Sequence, residues 1–268
     1  MVNVPAQNTD SVVEHAFALY SAVKRHIVPL HHYTLDGVKW PTNRVSMAEF
    51  KREYPECVLF ELVLTSTRPT KDEQGGDSRS RWLRGSRKSA GRHYTCHGVL
   101  TKDKGKCAEK MATALGMKVL IAERKGATEA RSGRLVFEDV IKESTVVILT
   151  CPLDESTHNM IDEAELRSMR ADAILVNVGR GGIVNEQALA TALKEARLAG
   201  AATDVFETEP ATKENCPLLD PSIPNLVLTP HIAWFSSGTI KGTLEVTVKN
   251  LECFAAGKPQ NVIYGPSK

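Results

Sequence analysis

The stretch AILVNVGRGGIVNEQALATALKEARLAGAATDVFETEP, residues 173–210, decides the fold. It opens on a short continuous apolar run, Ala173–Val178, and turns through Gly179-Arg180-Gly181-Gly182. A helical pattern follows over Asn185–Ala196, with Asn185 as N-cap, and then a second small apolar run, Gly200–Val205. Apolar on consecutive positions, such strands are buried on both faces, and a helix between two of them is a crossover that makes them parallel.

The same alternation extends both ways. Upstream lie a helix over Cys107–Leu115 closed by Gly116, a strand over Lys118–Ala122, a short helix over Phe137–Lys142, a strand over Thr145–Thr150 and a helix over Asp162–Met169. Downstream lie a strand over Asn225–Thr229 and a long final helix, Ser237–Ala256. Near the start, Val12, Val13, Ala16, Phe17, Leu19, Tyr20 and Val23 recur at helical spacing behind Thr9 or Asp10 as N-cap, and Pro29 is expected to end that helix. The fold class is therefore α/β, a Rossmann-like doubly wound parallel sheet. From Val45 to Lys104 no period is sustained except the strand-like Val58–Leu64, and no apolar strand is expected in Gly91–Leu100 (GRHYTCHGVL), so a sheet incomplete at its first strand is expected.

Composition bounds the function. With 268 residues, 42% hydrophobic and 25% charged, the chain is neither collagenous, coiled-coil nor disordered throughout. The longest apolar runs, Val58–Leu64 and Thr145–Thr150, are far short of the roughly 20 residues a membrane span requires. No basic-then-apolar leader stands at the start, so a cytoplasmic protein is expected. Cysteines 57, 96, 107, 151, 216 and 253 follow no disulfide or C-x-x-C spacing, which favours reduced thiols. Between Thr65 and Lys110 twelve basic residues face five acidic ones, although the whole chain carries only +2. Trp82 and Tyr94 are too few aromatics for a single-strand nucleic-acid platform, so that segment reads as a solvated loop and no nucleic-acid partner is expected. His93, Cys96, His97 and Cys107 fit no common zinc pattern, and no metal is expected.

In a doubly wound sheet ligands bind beyond the carboxyl ends of the strands. Glu123 and Arg124 close one strand: an acid there can accept from an adenosine ribose diol, and a base can hold a 2′-phosphate. Cys151 and Pro152 follow the next. Gly179 and Gly181 bracket Arg180, small residues that would let backbone approach a ligand while one guanidinium projects toward a carboxylate. Asp204 and Glu209 follow the fourth of these strands and His231 the fifth. Arg180, Glu209 and His231 thus come from separate strands and can converge, and a histidine beside a carboxylate is suited to acid–base work near neutrality.

These residues resemble the D-isomer-specific 2-hydroxyacid dehydrogenase family, on its glycerate dehydrogenase and hydroxypyruvate reductase side. The similar segments are NVPAQNTDSVVEHAFAL (3–19), ALGMKVLIAERKG (114–126) and nearly all of 136–264, including VVILTCPLDESTHNMI, ILVNVGRGGIVNEQAL, AATDVFETEP and LVLTPHIAW. The resemblance implies an NAD(P)-dependent oxidoreductase acting on the CH–OH group of small 2-hydroxy acids. Arg180 would bind the substrate carboxylate, His231 would be the acid–base group, and Glu209 would orient His231. Asp204 would meet the nicotinamide carboxamide. Gly105, Cys151, Pro152, Val178, Gly179 and His231 would line the cofactor. Glu123 would favour NAD, while Arg124 leaves NADP possible. A homodimer through the helix Asp10–Val28 would be expected.

The resemblance also implies an NAD(P)-binding Rossmann domain over 1–235, with an irregular insert at about 45–104, followed by a C-terminal helix and tail over 236–268 that in the family returns to the substrate domain. That substrate domain, which precedes residue 1 in the family, is expected to be mostly absent from this chain. The glycine fingerprint departs too: Gly105 takes the third glycine of G-x-G-x-x-G, but Leu100 and Lys102 take the first two. A one-nucleotide shift of codon phase across Trp82–Lys88 permits a glycine fingerprint, which suggests that about 65–104 is a misread or intron-derived segment. Impaired catalysis is expected, and a non-catalytic dinucleotide-sensing or partner-binding protein is the alternative.

Overall fold

A computed structural model describes residues 4, 7–35, 95–99 and 102–263. Helices α1 (Thr9–Lys24) and α2 (Ile27–Leu35) lead in. There follow β1 (Thr95–Val99), α3 (Lys102–Ala114), β2 (Lys118–Ile121), α4 (Phe137–Glu143), β3 (Val146–Leu149), α5 (Glu163–Ser168), β4 (Ile174–Asn177), α6 (Glu186–Lys194), β5 (Gly200–Thr203), β6 (Leu226–Leu228) and α7 (Ser237–Ala255). The sheet runs β2-β1-β3-β4-β5-β6, and every pairing is parallel. Leu135 adds a single parallel bridge to Ala122 at the β2 edge, a rudimentary further strand. The order reverses between β1 and β3, which opens a crevice at their carboxyl ends.

Side-chain alternation along each strand explains the two layers. Val147, Leu149 and Leu175 face one core with Phe137, Ile141, Leu166, Leu189 and Leu193. Val146, Ile148, Ile174 and Val176 face the other with Val13, Phe17, Val23 and Ala112. The middle strands are buried at every position, which is why they read as unbroken apolar runs. The apolar residues of α1 are spent on this second layer, where Val12 to Val23 are buried.

Several expectations change. A first strand exists: β1 pairs with β2 at Thr95↔Lys118 and with β3 at Cys96↔Val146, inside a stretch that reads as aperiodic. Its polar sequence, TCHGV, hides it, and only its two neighbours reveal it. The following helix starts at Lys102, earlier than its apolar pattern suggests. Pro29 does not end a helix. The first helix stops at Lys24, His26 takes φ +50°, and α2 restarts at Ile27, which puts Pro29 in a first turn where its missing N–H is not needed. The N-cap of α1 is Asn8, with no side-chain cap bond, rather than Thr9 or Asp10. The strand-like Val58–Leu64 and all of the supposed misread segment except 95–99 and 102–104 lie outside the described residues. Among the described residues no helix is long and apolar enough to cross a membrane, and no group of His, Cys, Asp and Glu could hold a metal ion.

Other local signals operate as the sequence suggests. Asn185 caps α6 by accepting from the Ala188 N–H at 3.0 Å, and Gly116 leaves α3 at φ +76°. Ser236 caps α7 through the Thr239 N–H at 3.1 Å.

Candidate active site

The site residues stand where strands stop. Beyond β4, Asn177 braces the turn: its Oδ1 accepts from the Gly179 N–H at 3.1 Å, and its Nδ2 donates to the Arg180 carbonyl at 3.0 Å. The Arg180 side chain is left exposed, with Nη1 donating to the Gly179 carbonyl at 2.7 Å. The flanking glycines are needed by the fold itself. A Cβ on Gly179 would stand 2.8 Å from the Cys151 carbonyl oxygen, and one on Gly181 only 1.8 Å from that of Phe206. At both positions the backbone that approaches is the protein's own. Gly181 lets the Arg180 turn press against the loop that carries Glu209, and Gly179 lets it press against the end of β3.

That loop is held on carboxylates. Phe206 N–H donates to Glu209 Oε1 at 3.0 Å, and Glu207 N–H donates to Oε1 of the buried Glu186 at 2.8 Å. The Glu209–Pro210 peptide is cis. Glu209 Oε2 accepts from His231 Nδ1 at 2.7 Å. Burial pushes the Glu209 carboxyl upward, but the His231 hydrogen bond, the Phe206 N–H and the charges of His231 and Arg180 outweigh it, and its pKa ends below the ordinary value. Arg180, Glu209 and His231 therefore share one electrostatic neighbourhood, as the strand-end argument requires. The first turn of α3 joins them: the Lys104 pKa is lowered, first by burial and then by the Arg180 charge.

His231 takes φ +54°, a left-handed conformation that costs a non-glycine residue roughly 1–3 kcal/mol. Asp204 holds the turn in place. Only 1% exposed, it accepts from Thr229 Oγ1 at 2.6 Å, the Ile232 N–H at 3.0 Å and the Ala233 N–H at 2.9 Å. His15 Nε2 on α1 lies 3.0 Å from Thr229 Oγ1, so the hydroxyl that donates to Asp204 receives from His15. The Trp234 indole N–H donates to the His231 carbonyl at 2.9 Å. His231 Nε2 carries no hydrogen bond among the described residues, and the side chain is 39% exposed. It is the ring atom available to a substrate.

The remaining sequence candidates spread along the same edge. Gly105 is buried in the first turn of α3. Val178, Gly179 and Cys151 are buried, and Pro152 is exposed. Burial pushes the Cys151 thiol up to about 11, so it is a packing residue rather than a nucleophile. Glu123 is 5% exposed and engaged by Arg131, whose Nε and Nη2 donate to its two oxygens at 2.7 and 2.6 Å. Arg124 is exposed and its backbone N–H also donates to Glu123, at 3.0 Å.

Four contributors escape sequence reasoning: His15, Glu186, Arg131 and Thr150. His15 and Glu186 act through partners distant in sequence, and Arg131 through a carboxylate eight residues before it. Thr150 Oγ1, just past β3, is buried and has no hydrogen-bond partner among the described residues. A buried hydroxyl left so is costly and marks a place where a bound polar group could supply the partner. With the start of α3 immediately beyond β1, whose first N–H groups lack intrahelical partners, and with Gly105 buried there, the crevice suits a dinucleotide pyrophosphate.

Comparison with known proteins places the chain in a family. The sequence model of the family described as "D-isomer specific 2-hydroxyacid dehydrogenase, NAD binding domain" matches residues 63–233. A glycerate dehydrogenase of Methylorubrum extorquens is 42% identical over 159 residues, 59% of this chain and 49% of that protein. A hydroxypyruvate reductase of Blautia hydrogenotrophica is 36% identical over 266 residues, 98% of this chain and 70% of that protein. Among solved structures, the TT0316 protein of Thermus thermophilus superposes with a TM-score of 0.72 at 28% identity, covering 98% of this chain and 71% of its own. The chain spans about half the length of the first curated relatives it matches, 46% and 49%.

Proposed function

This chain belongs to the D-isomer specific 2-hydroxyacid dehydrogenase family and carries its NAD-binding domain, and from that premise we propose that it reduces a small 2-oxo acid of the glyoxylate or hydroxypyruvate kind, and oxidises the matching 2-hydroxy acid. The observation that carries the reading is the 2.7 Å contact of His231 Nδ1 with Glu209 Oε2, within the field of Arg180.

NAD(P)H, when bound, supplies the hydride; everything else falls to side chains. The Arg180 guanidinium fork holds the substrate carboxylate. Glu209, kept ionised by its depressed pKa, accepts a hydrogen bond from His231 Nδ1–H and so fixes the ring with Nε2 toward the substrate. His231 then presents Nε2–H to the 2-oxo group, gives up that proton as the alcohol forms, and takes it back in oxidation. Asp204 keeps the His231 turn at the strand end through Ile232 and Ala233. Thr150 Oγ1, Gly105 and the N-terminal N–H groups of α3 would hold the dinucleotide.

Leu100 and Lys102 at the first two fingerprint positions favour a second reading, in which the dinucleotide binds without turnover. Glyoxylate and hydroxypyruvate mixed with the full chain and NADH or NADPH decide between the two. Loss of absorbance at the reduced nicotinamide band, abolished by His231→Asn, supports catalysis. Dinucleotide binding without that loss supports the second reading. We further propose a cytoplasmic homodimer, tested by sedimentation, and a misread origin for about 65–104, tested by sequencing the transcript across those codons.

A further inference from the structure

Glu123 is the residue that would select the dinucleotide, yet its acceptors are taken. On Oε1 arrive Arg131 Nη2 at 2.6 Å and the Arg124 N–H at 3.0 Å; on Oε2 arrive Arg131 Nε at 2.7 Å and the Arg131 N–H at 3.4 Å. A carboxylate offers about four lone-pair sites, so these four donors fill it. A ribose diol would bring two more donors with nowhere to place them. The carboxylate is also shut in, with 5% exposure, whereas the Arg131 side chain is 66% exposed.

The surrounding charge is biased the same way. Lys125 is occupied by Glu165 at 2.8 Å, and Arg134 by the Ala122 carbonyl at 2.8 Å. Arg124 is exposed, and its side chain forms no salt bridge among the described residues. Glu123 neutralises one of the two neighbouring guanidiniums, and the strand end keeps a positive charge. A 2′-phosphate carries about two negative charges and only acceptors. It suits two exposed guanidiniums and is repelled by a bare Glu123.

We propose that Arg131 sets cofactor choice: by filling Glu123 and offering its own exposed guanidinium beside Arg124, it makes this strand end accept a 2′-phosphorylated dinucleotide. The inference rests on the dinucleotide-binding reading above. An arginine fork in this place does two things together. It removes the acceptor that a diol needs, and it adds the donor that a phosphate needs.

The test is fluorescence titration of the full chain with NADPH and with NADH, for the unaltered protein and for Arg131→Gln, each with a thermal melt. The unaltered chain should bind NADPH at least as tightly as NADH. Arg131→Gln should move the ratio of the two Kd values toward NADH by roughly tenfold or more, the size expected for one charge-assisted hydrogen bond lost and one regained. Arg131→Lys keeps a cation without the fork and should move the ratio the same way by about threefold; it carries the test if Arg131→Gln melts without cooperativity. A ratio unchanged within twofold in the folded variants, or a clear preference of the unaltered chain for NADH, overturns the role of Arg131 alone. Binding of neither dinucleotide by the unaltered chain overturns the dinucleotide-binding reading and this inference together.

Discussion

Replacing Gly181 by alanine should damage stability and catalysis together, because one contact sets the distance between the two halves of the site. The added Cβ would stand 1.8 Å from the Phe206 carbonyl oxygen, 2.0 Å from its carbon and 2.5 Å from the Glu207 nitrogen. Ordinary contact begins near 3.4 Å, so the segments must part by about 1.6 Å, and all of these neighbours are backbone. On one side the Arg180 turn is braced by Asn177; on the other, the N–H groups of Phe206 and Glu207 are tied to Glu209 and Glu186. Relief must break one of these. Overpacking costs about 1–3 kcal/mol, and a lost hydrogen bond to a carboxylate about 1.5–3 kcal/mol. A total near 3 kcal/mol lowers Tm by roughly 6–12 °C in a domain of this size. Misplacing Arg180 from Glu209 and His231 by about 1 Å should lower kcat/KM about 100-fold. Gly116→Ala is the control. It is left-handed at φ +76° with nothing within 4 Å of its Cβ, so it should cost about 1–2 kcal/mol of strain and leave kcat/KM within threefold. Paired calorimetry and steady-state kinetics read both. A Gly181→Ala protein with the parent's Tm and kcat/KM would refute the claim that this contact sets the site.

Further expectations follow from the same network. Asp204→Ala leaves the buried Ala233 N–H, the half-buried Ile232 N–H and the Thr229 hydroxyl without their acceptor; urea unfolding should show a loss of about 3 kcal/mol or more. Glu209→Gln removes the carboxylate that accepts from His231 Nδ1–H and should lower kcat about 100-fold or more in steady-state assays. Arg131, first through its side-chain hydrogen bonds and then with the Arg124 N–H, holds the Glu123 carboxyl down at about 2. A carboxyl depressed on folding adds stability above its unfolded value, near 4.5, and that contribution drains as pH falls toward about 2. Thermal melts between pH 7 and pH 3 should therefore fall less steeply for Arg131→Gln than for the parent; parallel curves would count against the pair.

Much of this architecture is legible in the sequence, for identifiable reasons. Strands β3, β4 and β5 are buried at every position, so composition alone marks them. Arg180, Glu209 and His231 are legible because a parallel sheet delivers the turns after its strands to one edge. The failures share a cause as well. Strand β1 carries Thr95, Cys96 and His97 and is specified by pairing on both sides rather than by its own residues. Gly181 looks like room for a ligand but packs against Phe206, which stands 25 positions away in sequence. Glu123 carries the right chemistry for a ribose diol, but its acceptors are filled by an arginine eight residues on. Local pattern gives the place of a side chain; only the folded chain shows what already occupies it.

The measurement that bears most directly on the central claim is titration of the full chain with NADH and NADPH, read by nicotinamide fluorescence and by the shift in Tm. Saturable binding in the micromolar range with a rising Tm is the expected result, since a ligand bound only by the folded state stabilises it. A cooperative melt that neither dinucleotide moves at millimolar concentration would contradict the account.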